Sequence, residues 1–193
     1  MGTALPLTFV TSADTVDRLP ASRAEIAVAG RSNVGKSSLL NALANRQGLA
    51  KTSSTPGRTR LLNQFALEGG GTVVDLPGYG YAKASKVDRA DWQRRTEQYL
   101  LEREPLRMVL LLVDGEVGPT ALDTDMLAWL RRHDVPHTVV ATKHDKVKSS
   151  RRERRKRDLA EACEVAKGDV VWVSAQTKVN LDRLRDLVRG WLR

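Results

Sequence analysis

The segment Gly30-Arg31-Ser32-Asn33-Val34-Gly35-Lys36-Ser37 constrains this chain more than any other part of it. It matches G-x-x-x-x-G-K-[ST] in full, and its flanks supply the context that the pattern needs. Residues 25–30 read as an apolar strand running into the glycine-rich turn, and residues 37–44 as the helix that follows. In that order, glycine lets the backbone curl until successive N–H groups converge on one anion. The helix N-terminus adds a favourable dipole. Lys36 is then expected to reach the outer phosphates of a nucleotide, and the Ser37 hydroxyl to bind Mg2+.

The rest of the chain continues the alternation. Strands are expected over 61–68 and 72–76, joined by Gly69-Gly70-Gly71 as a hairpin. A helix over 88–103 offers Trp92, Tyr99 and Leu100 for its apolar side. Strands at 108–113, 136–141 and 170–173 alternate with helices at 120–132, 151–165 and 180–192. Such alternation implies an α/β fold with a mostly parallel sheet covered on both faces. The expectation is a three-layer P-loop domain. Its sheet has six strands, one of them an antiparallel edge strand from the hairpin. A length of 193 residues suits one domain. Residues 23–193 form that domain, and residues 1–22 an N-terminal extension packed on it.

Two later segments fall at predicted strand ends, where ligands of such sheets bind. Asp75-Leu76-Pro77-Gly78 places a carboxylate for Mg2+, held through a water, and a glycine N–H facing the γ-phosphate. Thr142-Lys143-His144-Asp145 has the form of the guanine-reading [NT]-K-x-D motif. Asp145 can accept from guanine N1–H and the exocyclic amine, donors that adenine lacks on that edge. A buried carboxylate left unpaired is costly, so discrimination of ~10⁴-fold is available. The Lys143 stem packs over the base plane. Val173-Ser174-Ala175 follows, with the Ala175 N–H expected at guanine O6.

Composition excludes several classes. The lone Cys163 allows no internal disulfide and no multi-cysteine metal site, and reads as a small buried side chain. The longest apolar run, 108–113, is fenced by Arg107 and Asp114, far short of the ~20 residues of a membrane span. With no basic-then-apolar leader at the start, a cytoplasmic protein is expected. His133 and His137 lack partners at metal-ligand spacing, so both read as structural. The net charge of +9 is localised: residues 146–157 hold eight basic residues and one acid, and the remaining 181 residues carry 24 and 22. A basic patch on a nearly neutral domain points to a polyanionic partner such as RNA, against the plainer reading of a solvated helix face.

Together these residues resemble the EngB family of bacterial Ras-like GTPases. The resemblance rests on Gly30 to Ser38, Thr55-Pro56-Gly57-Arg58-Thr59, Asp75-Leu76-Pro77-Gly78-Tyr79-Gly80-Tyr81-Ala82 and Thr142-Lys143-His144-Asp145-Lys146, and runs over nearly the whole chain. It implies a cytoplasmic GTPase that assists assembly of the large ribosomal subunit and is needed for normal cell division and septation. It also implies that Thr59 is the second side-chain Mg2+ ligand, within a segment Gly57, Arg58, Thr59, Arg60 and Leu61 that closes over GTP or GDP. By itself, Thr55-Pro56-Gly57 is only a turn signal. His144 fills a variable position. Asn180 stands where relatives often have glycine, and asparagine tolerates the left-handed backbone.

Ras-like proteins carry a water-orienting glutamine directly after D-x-x-G. Tyr79 stands there in this chain, and its ring is expected to swing away. Slow intrinsic hydrolysis follows, with a partner completing the site. Lys36 and Asn33 are the candidates for transition-state stabilisation. Asn33 either holds a K+ ion or simply braces the loop. Two other readings stand beside the switch: a GTP-loaded RNA or ribosome adaptor in which hydrolysis is incidental, and a P-loop kinase using arginines 151–157 as a lid. The sequence offers no exposed apolar stripe, which suits a monomer.

Overall fold

The computed structural model describes residues 3–50, 61–80 and 86–193, with all their side chains except those of 86–89 and 92. Seven strands form one sheet in the order β1-β3-β4-β2-β5-β6-β7. They are β1 (Leu7–Ala13), β2 (Glu25–Gly30), β3 (Leu62–Leu67), β4 (Thr72–Asp75), β5 (Leu106–Asp114), β6 (His137–Thr142) and β7 (Val171–Trp172). The helices are α1 (Lys36–Leu43), α2 (Lys86–Glu102), α3 (Ala121–Arg132), α4 (Arg152–Ala162) and α5 (Leu181–Trp191).

Two features of the sheet correct the reading from sequence. It has seven strands rather than six, because Leu7–Ala13 pairs antiparallel with β3. The hairpin strand β3 is therefore not an edge. Since β3 runs antiparallel to both neighbours, it alone opposes the direction of the other six strands.

The central strands are apolar on both faces because helices cover both. All six residues of β2 are buried, and their side chains alternate between two cores. Ala27 and Ala29 join Val109, Leu111 and Val113 of β5 beneath Tyr99, Leu127, Leu130 and Leu159 of α2, α3 and α4. Ile26 and Val28 join Leu110 and Leu112 beneath Leu39, Leu40 and Leu43 of α1 and Leu184 and Val188 of α5. The apolar residues of α5 recur at Leu181, Leu184 and Val188, the spacing of one helical face. Cys163 is buried in the first core, and burial pushes its thiol up to about 11. Trp172 is buried, Trp129 is packed against that core and stacks near His133, and Trp191 packs against the second core. Trp92 lies outside the described side chains.

The two edges of the sheet serve different ends. At the N-terminal edge of the parallel strands, Glu25 is fully buried. It accepts hydrogen bonds from Gln64 (3.0 Å), Thr72 (2.6 Å), Tyr99 (2.7 Å) and Arg103 (2.9 Å). One carboxylate thus ties β2, β3, β4 and α2 together. At the opposite edge, Gly30, Asp75, Asp114 and Thr142 end β2, β4, β5 and β6 side by side.

Candidate functional site

The phosphate-side motifs meet at that C-terminal edge. The turn after β2 reaches α1 through Gly35, whose φ of 107° is a conformation that side chains disfavour. Two long-range contacts hold the turn. Ser32 N–H donates to Tyr79 C=O at 2.9 Å, and Thr142 Oγ1 donates to Val34 C=O at 2.7 Å. The second contact joins the base motif to the phosphate loop. Asn33, with φ 64°, is exposed on the turn, and Ser37 is half-buried in the first turn of α1.

Lys36 and Asp75 form a buried pair of opposite charges without a direct ion pair between them among the described contacts. Burial pushes the Asp75 carboxyl up to about 6, and the Lys36 charge only partly opposes this. Burial likewise lowers the Lys36 ammonium against the pull of Asp75. Asp75 Oδ1 is buried with no hydrogen-bond partner among the described residues. An orphaned anionic oxygen and a desolvated ammonium are costly in a protein alone. A divalent cation reached from Oδ1 through a water and a polyphosphate at Lys36 would compensate both charges, so the residues present fit Mg2+ and its nucleotide. Gly78 completes the wall. A methyl group there would stand 2.9 Å from Lys36 Nζ and 3.0 Å from Ser32 N, so only glycine lets the backbone approach. Leu76 is buried and its N–H donates to Val28 C=O at 3.0 Å, which keeps Pro77 and Gly78 over the end of β2.

The base-side motifs line a pocket of about 440 Å³ between α1 and the ends of β6 and β7. Gly35, Thr142, Lys143, Asp145, Val173 and Ala175 all face it. Lys143 adopts φ 56° and its Nζ donates to Asp114 Oδ2 at 2.7 Å. Burial raises the Asp114 carboxyl, but Lys143 and the N–H groups of Val117 and Glu116 together hold it below the usual range. Asp145 Oδ1 accepts from Ser174 Oγ at 2.5 Å. Ser174 Oγ in turn accepts from the Thr177 N–H at 3.0 Å. His144 N–H donates to Val173 C=O at 3.1 Å, which locks the two base motifs together. The His144 ring sits edge-on to Trp172. Burial and then the charges of Arg152 and Lys156 lower its pKa.

The arrangement is that of a guanine-nucleotide site, and comparison with known proteins agrees. Residues 25–143 match the family described as 50S ribosome-binding GTPase. A relative named probable GTP-binding protein EngB, from Pelotomaculum thermopropionicum, is 47% identical over 95% of this chain and 94% of its own length. This chain belongs to the EngB family of GTP-binding proteins. Another EngB relative, from Mannheimia succiniciproducens, is 42% identical over 95% of the chain and 91% of its own length. A crystal structure of a probable EngB superposes with a TM-score of 0.72 at 26% identity, covering 88% of this chain and 99% of that one. The fold extends to Era in complex with MgGDPNP and 16S ribosomal RNA, with a TM-score of 0.69 at 24% identity, over 90% of this chain and 58% of that one.

Within this EngB chain, the described part of the site brings together Gly30 to Ser37, Asp75 to Gly78, Thr142 to Asp145 and Val173 to Ala175. Gly57, Arg58, Thr59 and Arg60 lie outside the described residues, as do Tyr81 and Ala82. Leu61 is exposed just before β3. Asn63 pairs with Asp75, so Leu61 emerges at the same edge as the end of β4. Asn180 has the left-handed φ of 56°, and its side-chain amide donates to Trp172 C=O at 2.7 Å. The sequence reading missed Asp114, Leu39 and Gln176. Leu39 and Gln176 line the base pocket and Asp114 holds Lys143. The position of Asp114 at the end of an apolar strand was a usable signal. No helix among the described residues is long and apolar enough to cross a membrane.

Proposed function

We propose that this protein is a GTPase switch that hydrolyses GTP to GDP and phosphate and assists assembly of the large ribosomal subunit. The observation that carries the reading is the convergence, on one sheet edge, of the buried Lys36 and Asp75 with the Asp145–Ser174 pair. Lys36 and the backbone N–H groups of the turn bind the β- and γ-phosphates. Asp145 and Ala175 read guanine, and Lys143 flanks it. Ser37 and Thr59 hold Mg2+, with Asp75 acting through a water. When bound, Mg2+ neutralises charge on the phosphates. Lys36 stabilises the transition state, and Asn33 would hold a K+ ion that supplies a further positive charge.

The Tyr79 phenol points away from the phosphates and donates to Asp123 Oδ1 at 2.8 Å. No residue at this position orients water, so intrinsic turnover is slow and a partner completes the site. The same observation favours one second reading, a GTP-loaded ribosome or RNA adaptor in which hydrolysis is incidental.

The partner surface is the basic segment 146–157, which begins at the rim of the base pocket with Lys146. Lys146, Lys148, Arg151, Arg154 and Arg157 are exposed along it. Its one acid, Glu153, is occupied by Lys156 at 3.1 Å and Lys167 at 2.6 Å, which hold its carboxyl down to about 2. Arg154 also pairs with Asp158 at 3.7 Å, which leaves Lys146, Lys148, Arg151 and Arg157 as the exposed positive surface suited to ribosomal RNA. The family's description, 50S ribosome-binding GTPase, supports the same partner. The protein acts as a cytoplasmic monomer, and its loss impairs cell division and septation.

Co-sedimentation with ribosomal subunits tests the proposal. Retention on the large subunit with a non-hydrolysable GTP analogue, but not with GDP, and weakening as salt rises, is expected. Absence of retention in every nucleotide state removes the ribosome from the reading. A variant that binds GTP without hydrolysing it and still works in cells selects the adaptor.

A further inference from the structure

A buried carboxylate outside the nucleotide motifs joins both phosphate-side segments to α3. Asp123, in the first turn of α3, is fully buried. Its Oδ2 accepts from the Thr120 N–H and from the Thr120 hydroxyl, each at 2.8 Å. Arg31 Nε of the phosphate loop stands 3.1 Å from the same oxygen. The other oxygen, Oδ1, accepts from the Tyr79 phenol. A capping box needs one carboxylate oxygen and works at the surface. Here the carboxylate is buried: Oδ1 goes to the Tyr79 phenol, directly after the γ-phosphate sensor, and Arg31 Nε stands beside Oδ2 as a charge without a hydrogen bond.

Tyr79 is anchored twice. Its ring is buried in the core beneath α2 and α3. Its backbone pairs with the phosphate loop, through Ser32 N–H to Tyr79 C=O at 2.9 Å and Tyr79 N–H to Gly30 C=O at 3.4 Å. Burial, then the Asp123 charge and hydrogen bond, push the phenol far above its usual range, so it remains a donor. One residue earlier, a Cβ on Gly78 would stand 2.9 Å from Lys36 Nζ and 3.0 Å from Ser32 N, and Ser32 Oγ donates to the Gly78 C=O at 3.4 Å. Lys36 and Ser32 confine this backbone on one side, and the anchor that follows confines it on the other. The Tyr79 anchor therefore sets where the Gly78 N–H stands.

We propose that Asp123 is a positioning residue of the switch: by clamping the Tyr79 phenol it holds the Gly78 N–H ready for a γ-phosphate. The clamp also keeps the Tyr79 side chain out of the place where the attacking water must stand. This inference rests on the GTP-binding reading and adds a residue that none of its motifs contains. Preorganised donors act selectively on the charge they face. GDP presents no γ-phosphate to Gly78, so the clamp serves GTP alone. It is one source of the protein's discrimination between the two nucleotides.

The test uses Tyr79→Phe, which removes one hydroxyl and keeps the ring, and Asp123→Asn, which keeps the shape. Affinities for fluorescent GDP and a non-hydrolysable fluorescent GTP analogue are measured with Mg2+, alongside thermal melting. The expected result is about a ten-fold fall in the ratio of GTP-analogue to GDP affinity in each variant, the size of one hydrogen bond to a charged group. GDP affinity stays close to wild type, and the double variant falls no further than Asp123→Asn, because both act through one contact. An unchanged ratio, with both affinities or the melting temperature falling together, overturns the clamp and leaves Asp123 a structural cap. If Asp123→Asn does not fold, the ratio in Tyr79→Phe decides alone. Wild-type protein that binds neither nucleotide overturns the GTP reading itself, a result distinct from an unchanged ratio.

Discussion

Ser174 Oγ donates to Asp145 Oδ1 across 2.5 Å, so the carboxylate proposed to read guanine is held in place by the neighbouring motif. A carboxylate fixed in this way cannot rotate to suit a different base edge. Asp145→Asn replaces an acceptor with a donor toward the guanine amine. It is expected to weaken GTP binding at least ~100-fold and to shift preference toward xanthosine triphosphate. Ser174→Ala leaves the carboxylate in place but unbraced, for a loss of about ten-fold. Competition binding with GTP, XTP and ATP checks both.

Lys36→Ala is expected to abolish nucleotide binding. The ammonium is buried beside Gly78 and partly opposes the rise of the Asp75 carboxyl. Without it, Asp75 shifts further toward its neutral form and the phosphates lose their cation. Titration calorimetry with GTP and Mg2+ should show no heat of binding. Wild-type affinity in this variant would remove Lys36 from the site.

Glu25 makes a prediction about acid stability. Burial raises its carboxyl, but hydrogen bonds from Arg103, Thr72, Tyr99 and Gln64 together carry it below its ordinary 4.5. A carboxyl lower in the folded than in the unfolded state stabilises the fold above the unfolded value, and that contribution is lost as pH falls through the folded value. Melting temperature should therefore decline as pH drops below 4.5. Glu25→Gln leaves the half-buried Arg103 without its anion, at a cost of about 2 kcal/mol near neutral pH. It should also flatten the acid limb of the profile, as read by calorimetry from pH 3 to 7. An unaltered acid limb would assign the acid sensitivity to other carboxylates.

Single-turnover hydrolysis by the isolated protein is expected to be slow, because the residue after Gly78 is held by Asp123 rather than aimed at water. A missing glutamine or arginine finger lowers the rate by ~10³–10⁵. With Asn33 exposed on the loop, K+ should raise the rate over Na+. Equal rates in the two salts would reduce Asn33 to a brace, and fast turnover in both would contradict the reading of Tyr79.

Much of the site was legible because each motif is a local device. A strand end, a glycine and a polar side chain specify their own backbone, and the alternation of apolar strands with helices fixes which edge they share. The apolar run of β5 and the spacing of Leu181, Leu184 and Val188 in α5 could be read in the same way. The strand β1 could not. Along Leu7–Ala13 only the two ends are buried, Phe9 and Val10 are exposed, and the register shifts between Phe9 and Thr11. An edge strand with an irregular register leaves no period-two pattern to find.

What the sequence determined alone was which groups stand in which motif: a phosphate-loop pattern, the [NT]-K-x-D carboxylate and a basic segment, all carried by residues adjacent in the chain. The tertiary structure decided which of those groups are braced and by what. Asp114 under Lys143, Ser174 against Asp145, Thr142 beneath Val34 and Asp123 behind Tyr79 are partners 29, 29, 108 and 44 residues apart. A buried polar group must find its partner wherever the fold delivers one, and that choice belongs to packing, which no local pattern records.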